Sequence, residues 1–360
     1  MIPATTRGAT LPVVLVLVIL FSVTAAMNGA YHATRQNRAE SLYNSGLQLA
    51  AAGKNAEAVE EFRAALTYVH NDTRYRMSLA RSLIALGRWG EAESYLSELR
   101  EDDPTSGPIN LMLARIAVRD GRDKDAVTFF QRAIYGLWPD HPAENRTAVR
   151  FELVGMLEHL GQEKQVLAEL LDLADETPET DYASRQRVGE LLLAHGSPQH
   201  AEEVFEGILD NKPNDAAAEK GRADALFALG NYLEALRVYR AAESRGLKDP
   251  AIAQRIEACE AVIRLDPTLV RLSAGQRFKR AQELVQLTME SSQTCGQLTP
   301  DLATTAQKAI DENATRRRDG DTLNMLSVAE QLWQARQELC ASSAQPDPAL
   351  AAVMEKLQKQ

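Results

Sequence analysis

Six glycines, Gly53, Gly87, Gly121, Gly161, Gly196 and Gly230, follow one another at 34, 34, 40, 35 and 34 residues, and each sits in the same local pattern. Seven residues before each stands a small or compact residue: Gly46, Ala80, Ala114, Val154, Gly189 and Ala223. Five after comes Ala58, Ala92, Ala126, Val166, Ala201 or Ala235, and nine after a large apolar residue, Phe62, Leu96, Phe130, Leu170, Phe205 or Tyr239. Within a unit such as 43–66, apolar residues at helical spacing stop at the glycine and resume five residues later. The glycine therefore closes one helix in a left-handed cap, and a second helix follows. One such αα-hairpin cannot bury its apolar face alone, so successive hairpins must stack into a superhelix with a concave inner surface.

This period and small–apolar pattern resemble the tetratricopeptide repeat (TPR) family, over somewhat more than half of the chain. The resemblance implies an all-α fold, an α-solenoid of about six TPR hairpins, and a role in binding other proteins or peptides in a concave groove. It also implies which residues line that groove: Tyr43, Asn44, Met77, Arg81, Arg115, Arg119, Arg187 and Lys220, on the exposed sides of first helices. Arg81 and Arg115 occupy equivalent places in consecutive units, and Arg119 lies one turn beyond Arg115. Guanidinium forks suit carboxylates, so this stretch is expected to receive an acidic or C-terminal segment of a partner. The competing reading pairs these arginines with carboxylates on neighbouring helices. The lysine and asparagine clamp by which some family members hold a terminal carboxylate has no counterpart, since the corresponding places hold Tyr43 and Leu47.

The chain is read as a tail (1–10), an apolar segment (11–30), a juxtamembrane linker (31–38), the repeat array (39–248), a capping helix (249–267), a C-terminal three-helix bundle (268–343) and a tail helix (344–360). Between Arg7 and Arg35 only His32 can carry charge near neutral pH, and 11–30 is dominated by Leu, Val, Ile and Ala. Twenty helical residues span about 30 Å, the thickness of a bilayer's hydrocarbon core. The alternative is a signal peptide cut near Thr24-Ala25-Ala26, which would leave a secreted soluble adaptor. One arginine and the amino terminus precede the span and Arg35 and Arg38 follow it, so charge fixes no orientation.

The six extra residues between the third and fourth units bring Gly136, Trp138, Pro139, His141 and Pro142. Trp138 is read either as an exposed anchor for a partner or as a lid on the lengthened turn. In the bundle, Cys295 follows the first helix and Cys340 ends the third, and an up-down-up course puts those ends on one side. A disulfide there would belong to an oxidising compartment and is the reason to place the repeats outside the cytoplasm; the other reading is two reduced thiols.

A net charge of −10 lacks the basic footprint of a nucleic-acid binder. The sequence contains no phosphate-binding glycine loop, no nucleophile elbow and no CxxC or HExxH metal motif. No cofactor and no catalysis are expected; a non-catalytic regulatory subunit of an enzyme complex is the further alternative to a scaffold.

Overall fold

The computed structural model describes residues 7–312, 319–340 and 345–358, and among them every regular element is helical. The chain forms two compact units, Met1–Gln162 and Glu163–Gln360.

The first unit contains α1 (Arg7–Ala51), α2 (Asn55–Tyr68), α3 (Thr73–Ala85), α4 (Trp89–Asp102), α5 (Gly107–Arg119), α6 (Asp123–Ile134) and α7 (Pro142–His159). The turns that close α1, α3, α5 and α7 carry Gly53, Gly87, Gly121 and Gly161 at φ between +66° and +76°. Each makes the same pair of bonds: Gly87 N–H donates to Ile84 O at 2.9 Å and Arg88 N–H to Leu83 O at 2.9 Å. A side chain with a Cβ is strained at these angles, which is why glycine marks the period. The second helix then lays its large residue on the first: the Phe62 ring is fully buried against Gly46, where an added Cβ would come within 2.6 Å of it. Leu79, Leu83, Leu96 and Leu113 continue the same core through α3, α4 and α5.

The stretch expected as a linker, 31–38, is not a break. α1 runs without interruption from the apolar run into the first hairpin, Ala39 being the first fully buried residue among those whose burial is described. Nothing between 31 and 38 stops a helix: neither proline nor glycine occurs there. Arg35 Nη2 donates to Tyr68 O at 2.7 Å, so the last turn of α2 is capped by the helix that leads into it. Glu40 accepts from the Tyr75 hydroxyl at 2.8 Å. Burial and that bond push the Tyr75 hydroxyl up to about 12.

The second unit contains α8 (Glu163–Glu176), α9 (Tyr182–Ala194), α10 (Pro198–Asn211), α11 (Ala216–Ala228), α12 (Tyr232–Ser244), α13 (Pro250–Leu265), α14 (Ala274–Gln293), α15 (Pro300–Asp311), α16 (Asp319–Cys340) and α17 (Pro348–Gln358). Phe205 of α10 is fully buried between Gly189 of α9 and Gly221 of α11. The sequence reading separates a capping helix, a three-helix bundle and a tail helix. The structure instead gives α13 to α17 one core, in which Val262 and Leu265 meet Phe278, Leu284, Trp333, Leu350 and Met354. Two amphipathic helices short of a partner bury more apolar surface by joining the bundle than by standing beside it. An ion pair joins the two, Lys356 Nζ lying 2.6 Å from the buried Asp266 Oδ2. α14 starts later than the expected 268, at a capping box in which Ser273 and Gln276 satisfy each other's backbone N–H groups.

Cys295 and Cys340 are joined by a disulfide across α14 and α16, with Cα atoms 4.9 Å apart. The same ends are tied by Ser292 Oγ donating to Leu332 O at 3.2 Å and Arg336 Nε donating to Ser291 Oγ at 2.7 Å.

Candidate partner-binding face

In the first unit the exposed sides of α3, α5 and α7 carry two cavities that share Arg115. The first, about 510 Å³, is lined by Arg81 and Ile84 of α3, Trp89 of α4, Leu111 and Arg115 of α5, and Trp138 with its loop. The second, about 550 Å³, has Arg115, Phe130, Glu152, Met156 and His159 among its walls. Both fall in the size range of pockets that take small ligands or side chains.

The six inserted residues make one wall of the first cavity. Leu137 N–H donates to Thr105 O at 2.8 Å and Gly107 N–H to Leu137 O at 2.9 Å, a short parallel bridge that pins the α6–α7 loop to the α4–α5 loop. Trp138 Nε1 donates to Ala133 O at 2.9 Å, capping α6, and the indole lies over Gly107, where a Cβ would sit 2.4 Å from it. Gly136 is hemmed in by backbone: its Cβ would fall 2.7 Å from both Arg132 O and Thr105 O. Trp138 is thus half-buried and fixed, both lid and wall, while Tyr135 and Leu137 beside it are 73 % and 70 % exposed. Gly136→Ala is expected to cost about 1–3 kcal/mol by overpacking and to move Trp138, read as a shift in tryptophan fluorescence.

The charged side chains differ in what they already hold. Arg115 is spent on a two-pronged pair with Glu152, Nε to Oε2 at 2.9 Å and Nη2 to Oε1 at 2.6 Å, and that bond raises the guanidinium above its ordinary value. Arg119 pairs with Asp120 at 2.8 Å and lies over the Trp89 ring, 5.0 Å from its centroid. Arg81, exposed on α3, has no hydrogen bond or ion pair among the described residues. The expected patch of three available guanidinium groups is therefore one available group, because Glu152 and Asp120 neutralise the other two.

The other groove residues are dispersed. Tyr43 stacks on Tyr75 with ring centroids 4.6 Å apart and lies 3.4 Å from Ser78 Oγ; its ring holds α1 on α3. Asn44 is exposed, and Met77 is half-buried against the first unit's core. None of the three lines either cavity. In the second unit Arg187 is engaged, and Lys220 pairs with Asp224 at 2.9 Å and Asp249 at 3.8 Å. Trp89, Ile84, Leu111 and Glu152 complete the cavities without having been singled out from sequence. Leu111 was within reach of such reasoning, since it lies one helical turn before Arg115 on the same face.

Models of the tetratricopeptide repeat match residues 49–108, 83–135 and 189–250. The chain carries tetratricopeptide repeats over these residues. It is similar to the Arabidopsis thaliana protein described as Protein CTR9 homolog, 33 % identical over 94 residues, which are 26 % of this chain and 8 % of that one. The chain thus spans under a tenth of the length of that curated relative. Among solved structures it is similar to YrrB, described as a TPR protein with an unusual peptide-binding site, at 20 % identity over 55 % of this chain and 98 % of the other, with a TM-score of 0.41. It is also similar to a tetratricopeptide repeat protein of Parabacteroides merdae, at 14 % identity over 84 % and 99 % of the two chains, TM-score 0.38. A third is PilW, described as a type IV pilus biogenesis factor, at 14 % identity over 60 % and 97 %, TM-score 0.38.

Proposed function

We propose that this protein is a membrane-tethered, non-catalytic scaffold that binds partner proteins through carboxylate-bearing segments, on the α3–α5–α7 face of its first unit. The observation that carries the reading is the first cavity, which combines apolar walls, two tryptophans and a guanidinium, that of Arg81, with no ion pair among the described residues. Aromatic residues and arginine are the side chains that dominate binding energy at protein interfaces.

Tethering is supported by α1. Its apolar stretch reaches a mean hydropathy of 2.0 with none of that window buried, and the helix passes unbroken into the first hairpin. A retained span then holds the array at the membrane through a helical stalk rather than a flexible tether. The bridge between Cys295 and Cys340 supports an orientation where flanking charge is balanced: disulfides persist in oxidising compartments, which favours the extracytoplasmic side for the repeats. In that place the scaffold would serve assembly of an envelope or secretion complex. The second reading, a secreted adaptor, rests on the small-residue run Thr24-Ala25-Ala26, and an intact mass beginning near Met27 would select it.

The binding claim is tested with partners cross-linked in membranes and identified by mass spectrometry. Arg81→Ala is expected to weaken a captured partner about tenfold, the value of one charge-assisted hydrogen bond of roughly 1.5 kcal/mol, and to flatten its salt dependence. Arg115→Ala should cost less, because Glu152 already occupies that guanidinium. Affinity unchanged in the double variant would remove the proposed face.

A further inference from the structure

Resting on that reading, we infer that the first cavity recognises a charge-alternating segment: one bulky apolar side chain with a single carboxylate on one side and a cation on the other. An acidic tract does not fit it. The walls decide the apolar part. Half-buried Ile84 and Leu111 line the cavity together with Trp89 and Trp138, and both indoles are held in place, Trp89 by Arg119 and Trp138 by its bond to Ala133 O. Fixed aromatic walls bind an apolar side chain without first having to be ordered.

The charges decide the rest. Arg115 and Glu152 cancel within hydrogen-bond distance. What remains is Arg81 on the α3 side and, on the loop side, Asp140, an exposed lining residue whose carboxylate forms no hydrogen bond or ion pair among the described residues. Only its backbone carbonyl is used, accepting from Asn145 Nδ2 at 2.7 Å. The cavity is therefore dipolar rather than basic. A second ligand carboxylate placed toward the loop would meet Asp140, and a like-charge approach there disfavours runs of Asp or Glu.

The test pans a random twelve-residue phage-displayed peptide library on the full chain in lipid nanodiscs, with empty nanodiscs as the control. Recovered peptides should carry an aromatic or large aliphatic residue flanked by Asp or Glu on one side and Lys or Arg on the other. Measured by fluorescence anisotropy, their affinity should fall about tenfold or more in Arg81→Glu and in Leu111→Lys. Both side chains reach the surface, so neither change disturbs the core. The charge-swapped variant R81E/D140K should select the reversed order of charges, which no folding defect would produce. Recovery of acidic tracts, or of peptides whose affinity is the same in R81E and L111K, overturns this inference and leaves the scaffold reading standing. Failure to enrich any peptide over empty nanodiscs removes both.

Discussion

Phe205→Ala is expected to destabilise the second unit by about 3–5 kcal/mol, the range for emptying a buried aromatic site. The ring is fully buried, and its neighbours on both sides are glycines, Gly189 and Gly221, whose hypothetical Cβ atoms would stand 2.6 Å and 2.4 Å from it. Neither neighbour has a side chain to relax into the hole, so the cost should lie toward the upper end. Because Phe205 sits between the α9/α10 hairpin and α11, its loss also uncouples successive repeats, whose stability depends on the interface between neighbours. Urea unfolding followed by circular dichroism should show the loss as an earlier or newly separated transition. A cost below about 1 kcal/mol would mean that the glycines do not define the ring's site. Gly221→Ala should destabilise from the opposite direction, by about 1–3 kcal/mol of overpacking.

The repeat architecture was legible because its signal is local and repeated. Each turn glycine must adopt positive φ, and Phe62 and Phe205 each find a glycine, Gly46 or Gly189, in the helix before it. Six copies of one constraint leave a period that no single helix would. The binding face was legible only in part. Arg81 and Arg115 look alike in sequence, and their difference comes from Glu152, which lies 37 residues beyond Arg115 and reaches it only once α5 and α7 pack. Trp138 stood out as an unusual residue in an inserted loop, but its role is set by contacts with Gly107 and Ala133 that no spacing announces. The C-terminal helices misled in another way. α13 and α17 each show an apolar face, but periodicity says that a face will be covered and not by what, so their entry into one core with α14, α15 and α16 had no sequence signature.

Reducing the bridge between Cys295 and Cys340, or replacing both by serine, should destabilise the α13–α17 core by up to about 4 kcal/mol. The bridge closes a sequence separation of 45 residues, and the chain-entropy relation gives that value for a loop of this length. The hydrogen bonds from Ser292 and Arg336 that join α14 to α16 remain after reduction, so the fold should persist with a lower melting temperature rather than collapse. Trp333, buried in that core, reports the change by fluorescence. The same bridge carries the argument for the compartment, and counting thiols separates the two issues. Cys259 is fully buried, and burial pushes its thiol up to about 11, so a folded, oxidised chain should react with a thiol reagent hardly at all. Unfolded in urea without reductant, it should release one thiol. Three thiols in freshly isolated protein would show that the bridge does not form in the cell, would withdraw its support from the extracytoplasmic placement, and would leave the orientation of α1 to its balanced flanking charges. One thiol, with a melting temperature that drops on reduction, ties the stability of the C-terminal core to the compartment in which the array works.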